Sequence, residues 1–294
     1  MTFHPIREDA AMRTENFETP GPVRLDLRLG AGEIRLASGE SGTTTVTLEP
    51  LRDNEATAQA IADARIELRK RAEGHEVVVD VRDKRFRRAE VLVEVRCPDD
   101  AGVRAKTGSA GVEGSGRFGS IEVETGSGDV QFGELSGDAK VNAASGDVEL
   151  GRVEGDLRAN AASGDVQVGA VAGDSKVNSA SGDVELGEAA GALEVNSASG
   201  DVQVRETRSS VSLNTASGDQ TIGSASAGKV TLKSASGDLK IGIREGSTLW
   251  VDARSRSGDV SSELPVSDTP PEGDAPHIEL RAHTMSGDIT VVRG

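Results

Sequence analysis

Cysteine occurs once in the 294 residues, as Cys97, which excludes an intramolecular disulfide, and nothing around it has the spacing of a metal site. Tyrosine is absent, and one tryptophan and five phenylalanines make up the whole aromatic complement, so the core cannot rest on large rings. No apolar run approaches the roughly 18 residues a membrane helix needs. The opening MTFHPIREDAAMRTENF lacks the basic, apolar and small-residue order of a secretory signal, so the expected location is the cytoplasm, the cell surface being reached only by another route. Positive charge is scarce: 33 Lys and Arg face 49 Asp and Glu, a net charge of −16, which favours solubility and argues against general nucleic-acid or anionic-membrane binding. Glycine is abundant, with 36 copies.

Those glycines are ordered. Between Thr107 and about Asp259 the chain repeats a nine-residue unit, as in GDVQFGELS, GDAKVNAAS and GDVELGRVE. Numbered from its Gly, the unit has apolar residues at positions 3 and 5, among them Val148/Leu150, Val166/Val168, Val184/Leu186 and Val202/Val204, separated by polar ones. Alternation of period two marks a strand with one buried face, and position 8, mostly Ala or Val, is small enough to sit under a corner. A second period of 18 lies over the first. Position 6 is Asn at 142, 160, 178, 196 and 214, while the intervening units carry Gly133, Gly151, Gly169, Gly187 and Gly223, with Arg205 as the exception.

Asn and Gly are the residues that most readily take positive φ, so a left-handed corner at position 6 would explain both. Asn142, Asn160, Asn178, Asn196 and Asn214 are also spaced to stack one coil apart and form a ladder of side-chain amides. The two readings are compatible. Together the periods predict an all-β fold: a parallel β-solenoid with 18-residue coils of two nine-residue strand-turn units, about 4.8 Å per coil and about 40 Å long for some eight coils. Antiparallel hairpins would want two-residue Asn-Gly or Gly-Gly loops, and the nine-residue sub-period disfavours a three-sided coil.

Asp147, Asp165, Asp183, Asp201 and Asp219 recur in the Ser-Gly-Asp turn and would stack with like charges one coil apart. A turn role, with the carboxylates accepting backbone N–H groups, is favoured over ligand binding. On the Asn half-coils Lys140, Arg158 and Lys176 follow Asp138, Asp156 and Asp174 by two and can neutralise them.

Ahead of the repeat, residues 1–21 read as a flexible N-terminal segment, and 22–106 as a small β-rich capping domain with one short helix capped by Asp53 or Asn54. Residues 107–294 form the repeat domain, with Trp250 filling the widening end of its core and an exposed Pro-rich loop near 264–277. A solenoid end exposes strand edges and needs such caps.

Chemistry is sparsely signalled. The basic cluster 83–88 reads as a solvated hairpin tip rather than a phosphate site, and His4, His75, His277 and His283 as surface histidines. Each Gly-Asp turn offers one carboxylate, too few oxygens for the roughly six to eight ligands of calcium. The uninterrupted coils lack the inserted loops of a glycan-cleaving β-helix. No catalytic residue, metal site or cofactor is expected.

Pro20-Gly21-Pro22, short alternating strands, a strand ending Val95-Arg96-Cys97-Pro98, Thr107-Gly108-Ser109, the Ser-Gly-Asp strands and the late Pro-rich insertion together resemble a bacterial family of uncharacterised β-strand-repeat proteins labelled as candidate adhesins, over about residues 17–294. The resemblance implies the solenoid and a surface role, and brings no catalytic residues. The expected function is a non-enzymatic scaffold or binding protein that presents regular polar faces to a protein or glycan partner, as a monomer. Alternatives are end-to-end assembly like that of bactofilins, and a polysaccharide-active β-helix enzyme.

Overall fold

The computed structural model describes residues 12–39, 42–81, 89–264 and 277–294, so the basic cluster 83–88, His4 and nearly all of the Pro-rich loop lie outside the described residues. The chain divides into two compact units, 1–136 and 137–294.

In the first unit the strands are β1 (Arg13–Glu18), β2 (Val23–Leu29), β3 (Gly32–Gly39) and β4 (Thr43–Pro50). Helix α1 (Glu55–Ala62) and β5 (Arg65–Lys70), β6 (His75–Val81), β7 (Val91–Pro98), β8 (Ala101–Thr107), β9 (Gly111–Thr125) and β10 (Val130–Leu135) follow. Parallel coils are present from the start: β2 pairs in parallel with β6 on one side and β8 on the other, and β3 likewise with β7 and β9. The N-terminal coil is therefore clasped between two coils made later in the chain. Three antiparallel pairings are described, β1 with β4, β4 with β7 and β5 with β6, so that β4 and β5 run against the parallel strands while β1 runs with them. Residues 13–18, expected to be loosely held, form β1, because Thr14 meets Thr47 at 3.3 Å and Arg13 donates to the Ala64 carbonyl at 2.6 Å. Asn54 caps α1 by accepting from the Thr57 N–H at 2.8 Å, and Thr57, Ala60 and Ile61 are its buried face. Phe118 and Phe132 meet edge to face in the core, with ring centroids 5.5 Å apart. Gly114 leaves room for them, since a Cβ there would lie 2.3 Å from the Phe132 ring.

The second unit opens with β11 (Ala139–Ala143), β12 (Val148–Val153), β13 (Leu157–Ser163), β14 (Val166–Val171), β15 (Ser175–Ser181) and β16 (Val184–Ala189). Then come β17 (Leu193–Ser199), β18 (Val202–Thr207), β19 (Val211–Ser217), β20 (Gln220–Ala225), β21 (Gly228–Ser236) and β22 (Leu239–Ile243). Odd strands pair with odd and even with even, always in parallel, with residues 18 apart opposite each other up to Val211 in the odd ladder and Gln220 in the even one. Two ladders per coil make this the two-sided solenoid that the nested periods imply. The residues at positions 3 and 5 project between the ladders: Val148, Leu150, Val166, Val184, Leu186, Val195, Val202 and Val204 are all at most 1% exposed.

The two halves of a coil turn differently. On the Asn halves the third inward residue is at position 7, Ala143, Ala161, Ser179, Ser197 and Thr215, and the Ala at position 8 is exposed. On the Gly halves alternation breaks at the Gly, two residues face out, and position 8 is buried as Val153, Val171 and Ala189. From Val211 to Val230 the step grows to 19 residues. At that coil Gln220 is fully buried at position 3, donating to Thr215 Oγ1 at 2.9 Å and to the Lys233 carbonyl at 2.7 Å.

Four strands close the unit: β23 (Thr248–Ser255), β24 (Val260–Ser262), β25 (His277–Ser286) and β26 (Ile289–Arg293). Their spatial order departs from sequence order. β25 pairs with β21 and β23, and β26 with β22 and β24, so the last strands lie between earlier ones. No described helix is long and apolar enough to cross a membrane.

Candidate functional site

The outward side chains of the odd-strand ladder form three columns along the solenoid axis. The innermost to explain is the Asn column. Asn160 donates from Nδ2 to Asn142 Oδ1 at 2.8 Å, Asn178 to Asn160 at 2.8 Å, Asn196 to Asn178 at 3.1 Å and Asn214 to Asn196 at 3.1 Å. The amides thus form a continuous, half-buried ladder with one polarity. Lys233 stands next in register beyond Asn214, a cation at the carbonyl end of the row.

The left-handed corner, however, is not at position 6. Positive φ occurs at the Gly of the Ser-Gly-Asp turn, 117° at Gly164, Gly182 and Gly200 and 131° at Gly218, while Asp100 is the sole non-glycine with positive φ among the described residues. The position 6 glycines answer a different demand. A Cβ on Gly169 would lie 2.4 Å from the Gly151 carbonyl oxygen, and one on Gly187 would lie 2.1 Å from that of Gly169. Close backbone approach, not backbone handedness, selects Gly169, Gly187 and Gly223, whereas a Cβ on Gly133 would meet nothing nearer than 3.9 Å.

The turn aspartates on the even-strand side, Asp147, Asp165, Asp183, Asp201 and Asp219, each bind the coil that follows. Asp147 Oδ1 accepts the Asp165 N–H at 2.9 Å, and Asp165, Asp183 and Asp201 accept the next Asp N–H at 2.8 Å. The row goes on through Asp219 to Asp238, Asp288 and Asp259 in spatial order, each at 2.8 Å. Each carboxylate is held by an N–H dipole at its own spacing, which offsets repulsion along the column. The bond goes to the neighbouring coil rather than to the turn's own backbone, a partner that a nine-residue window does not reveal.

The odd-strand side carries the concave feature. A groove of about 750 Å³ runs along the axis from Asp138 to Lys229 and Thr231, across six coils. One wall is the column Asp138, Asp156, Asp174, and the other is Lys140, Arg158, Lys176. Asp138 Oδ1 accepts the Asp156 N–H at 3.0 Å, Asp156 that of Asp174 at 2.9 Å, and Asp174 that of Ala192 at 2.9 Å, so these carboxylates are fixed from behind. Lys176 pairs with Glu194 one coil on, at 2.9 Å, instead of with Asp174 two residues back. Its ammonium, and after it the Asn196 amide, hold the Glu194 carboxyl below its ordinary range. These residues were legible as rows of opposite charge; that the rows enclose a groove was not.

The same three columns lose their regularity at the far end. The acidic column continues in register as Lys229, Glu279 and Trp250, the basic one as Thr231, Arg281 and Asp252, and the Asn one as Lys233, His283 and Arg254. Trp250 therefore faces outward, half-buried, rather than filling the core, because Leu249 and Val251 take the inward positions opposite Ile278 and Leu280. Arg281 lies over its ring at 5.9 Å and pairs with Glu279 at 2.7 Å. His283 is 3.7 Å from Asp252, and His277 is exposed. Among the described residues no group of three or more His, Cys, Asp or Glu could hold a metal ion.

The profile of a family described as Toastrack DUF4097 matches residues 23–292. Solved structures similar to the chain include a candidate cell adhesion protein from Clostridium sporogenes, at 10% identity over 97% of this chain and 100% of that one, with a TM-score of 0.31. Others are a candidate lipid binding protein from Parabacteroides distasonis, at 13% identity over 97% and 98% with a TM-score of 0.43, and a candidate adhesin from Bacteroides fragilis, at 14% over 99% and 100% with 0.34. No protein of curated function matches.

Proposed function

The chain belongs to the Toastrack DUF4097 family, and from that premise we propose that it is a non-enzymatic, adhesin-like binding scaffold whose odd-strand face holds a protein or glycan partner. One observation carries the reading. The outward groups of the odd-strand face spend part of their bonding capacity tying coil to coil, and what is left over points into the groove. Asp156 and Asp174 each use one oxygen on the backbone of the next coil, and Arg158 has no partner among the described residues. Binding sites of this kind are rigid before the partner arrives, which lowers the ordering cost of association.

The proposal includes a monomer and a cytoplasmic location. Its test is capture of a defined panel of proteins and oligosaccharides on the immobilised full chain, repeated with Asp156→Asn and Arg158→Ala. Loss of capture by variants that melt like the parent, with the partner recovered chemically unchanged, is the expected result. Conversion of the partner overturns the non-enzymatic reading, and capture indifferent to both variants overturns the groove.

A further inference from the structure

We infer that the groove takes an extended, neutral, β-linked glycan, one sugar ring per coil, with Trp250 as a stacking platform for a ring beyond the groove's end. The inference rests on the proposed binding function and adds the class of ligand.

Spacing is the first argument. Groups along each wall repeat at the coil spacing of about 4.8 Å, whereas an extended peptide repeats at about 3.4 Å per residue and would fall out of register within two coils. A β-linked pyranose chain in extended form advances by nearly one coil per ring. A peptide strand would also need backbone partners, and this surface is the face of a sheet rather than its edge.

Charge is the second. With Glu194 and Lys229 added to the two columns, the groove lining holds four carboxylates and four cations. A polyanion or a polycation would meet as many like charges as opposite ones. Hydroxyl groups donate and accept, so a polyol can use both walls. The free oxygens of Asp156 and Asp174 are acceptors, and the Arg158 guanidinium is a donor across from them.

The third is Trp250, which continues the acidic column two coils past Lys229, about 10 Å further along the axis. Arg281 covers one face of the ring at 5.9 Å. An aromatic plane fixed in this way, flanked by Glu279 and Asp252, can stack on the apolar face of a sugar ring while the carboxylates accept its hydroxyls.

The chain holds one tryptophan and no tyrosine, so its intrinsic fluorescence reports on Trp250 alone. The full chain is titrated with cello-, xylo- and chito-oligosaccharides from disaccharide to octasaccharide, by calorimetry and by fluorescence, with the products chromatographed. Affinity is expected to rise with length as the six coils of the groove are filled and to rise again when the chain is long enough to reach Trp250, where the fluorescence also changes. Arg158→Ala and Asp156→Asn each weaken binding about tenfold or more, and Trp250→Ala weakens the octasaccharide but not the tetrasaccharide. Affinity that is flat with length, or unchanged by Arg158→Ala and Asp156→Asn, overturns the inference. If no sugar binds while extended peptides bind and lose affinity in the same variants, the glycan fails and the scaffold stands. If sugars bind and are cleaved, the glycan groove stands and the non-enzymatic reading fails. If neither class binds, both fail.

Discussion

Asn178→Ala removes the middle rung of the amide ladder. The side chain donates to Asn160 at 2.8 Å and accepts from Asn196 at 3.1 Å, so two hydrogen bonds go with it. At about 1 kcal/mol net for each bond, the loss is about 2 kcal/mol. Part of it is softened on one side only, because Asn196 keeps a second acceptor in Glu194 at 2.9 Å, while Asn160 Oδ1 is left with no protein donor from that direction. Each coil of a solenoid touches mainly its neighbours, so the defect should be local. Native-state hydrogen exchange is the suitable assay: amides of β13, β15 and β17 should lose about 30-fold in protection, since 1.36 kcal/mol is a factor of ten, and those of β21 should change little. Asn142→Ala, which breaks the single ladder bond from Asn160, should cost about half as much. Gln167→Ala, exposed on the other ladder, serves as the control. Equal protection in all three variants would refute the ladder as a source of stability and leave the Asn column without an energetic role.

Replacing both Val166 and Val168 with Asp, at sites 0% and 4% exposed, buries two carboxylates without partners and should abolish the cooperative transition seen by circular dichroism; parent-like melting would refute the inward assignment of positions 3 and 5. Gly182→Ala puts a Cβ 2.2 Å from the Gly164 carbonyl oxygen at φ 117° and should cost roughly 3 kcal/mol or more in urea denaturation, whereas Ala180→Ser at the exposed position 8 should be neutral. Burial, and after it the charge of Asp99, push the Cys97 thiol up to about 12 from an ordinary 9.0. A raised value means the fold favours the protonated form, so this contribution is whole below about pH 9 and drains away between about 9 and 12. Cys97 should resist alkylation at pH 8 until urea unfolds the chain, and a thiol that reacts in the native state would refute its burial.

Legibility in the sequence followed the length scale of the physics. Period two and period eighteen report which side chains share a face and which share a column, and those follow directly from stacked coils, so the solenoid, the inward valines and the Asn ladder could be read in advance. Conformation at a single residue could not. Asn and Gly at position 6 suggested a shared φ, yet Asn142 and its successors sit in ordinary strand geometry and Gly169 is chosen by a carbonyl one coil away. Trp250 was misplaced for a similar reason. Its hydrophobicity pointed inward, but its face is set by register against Glu279, and that register depends on β25 inserting between β21 and β23. Nothing within a local window announces an insertion of strands whose paired residues lie 29 positions downstream.

That insertion changes how the ends of these ladders can come apart. In an array built strictly in order, the terminal strand has one neighbour and peels away bond by bond, which is where proteases and mechanical load begin. Here β25 and β26, and at the other terminus β2 and β3, are each gripped from both sides. Tension on the C-terminal side must shear two ladders at once instead of unzipping one, whereas at the N-terminal side β1, held by β4 alone among the described residues, peels before β2 and β3 bear the load. Synthesis meets the mirror image of this: β23 and β24 leave the ribosome before the strands that seat them, so their coil closes like a bolt slid home, and only after β25 and β26 have been made.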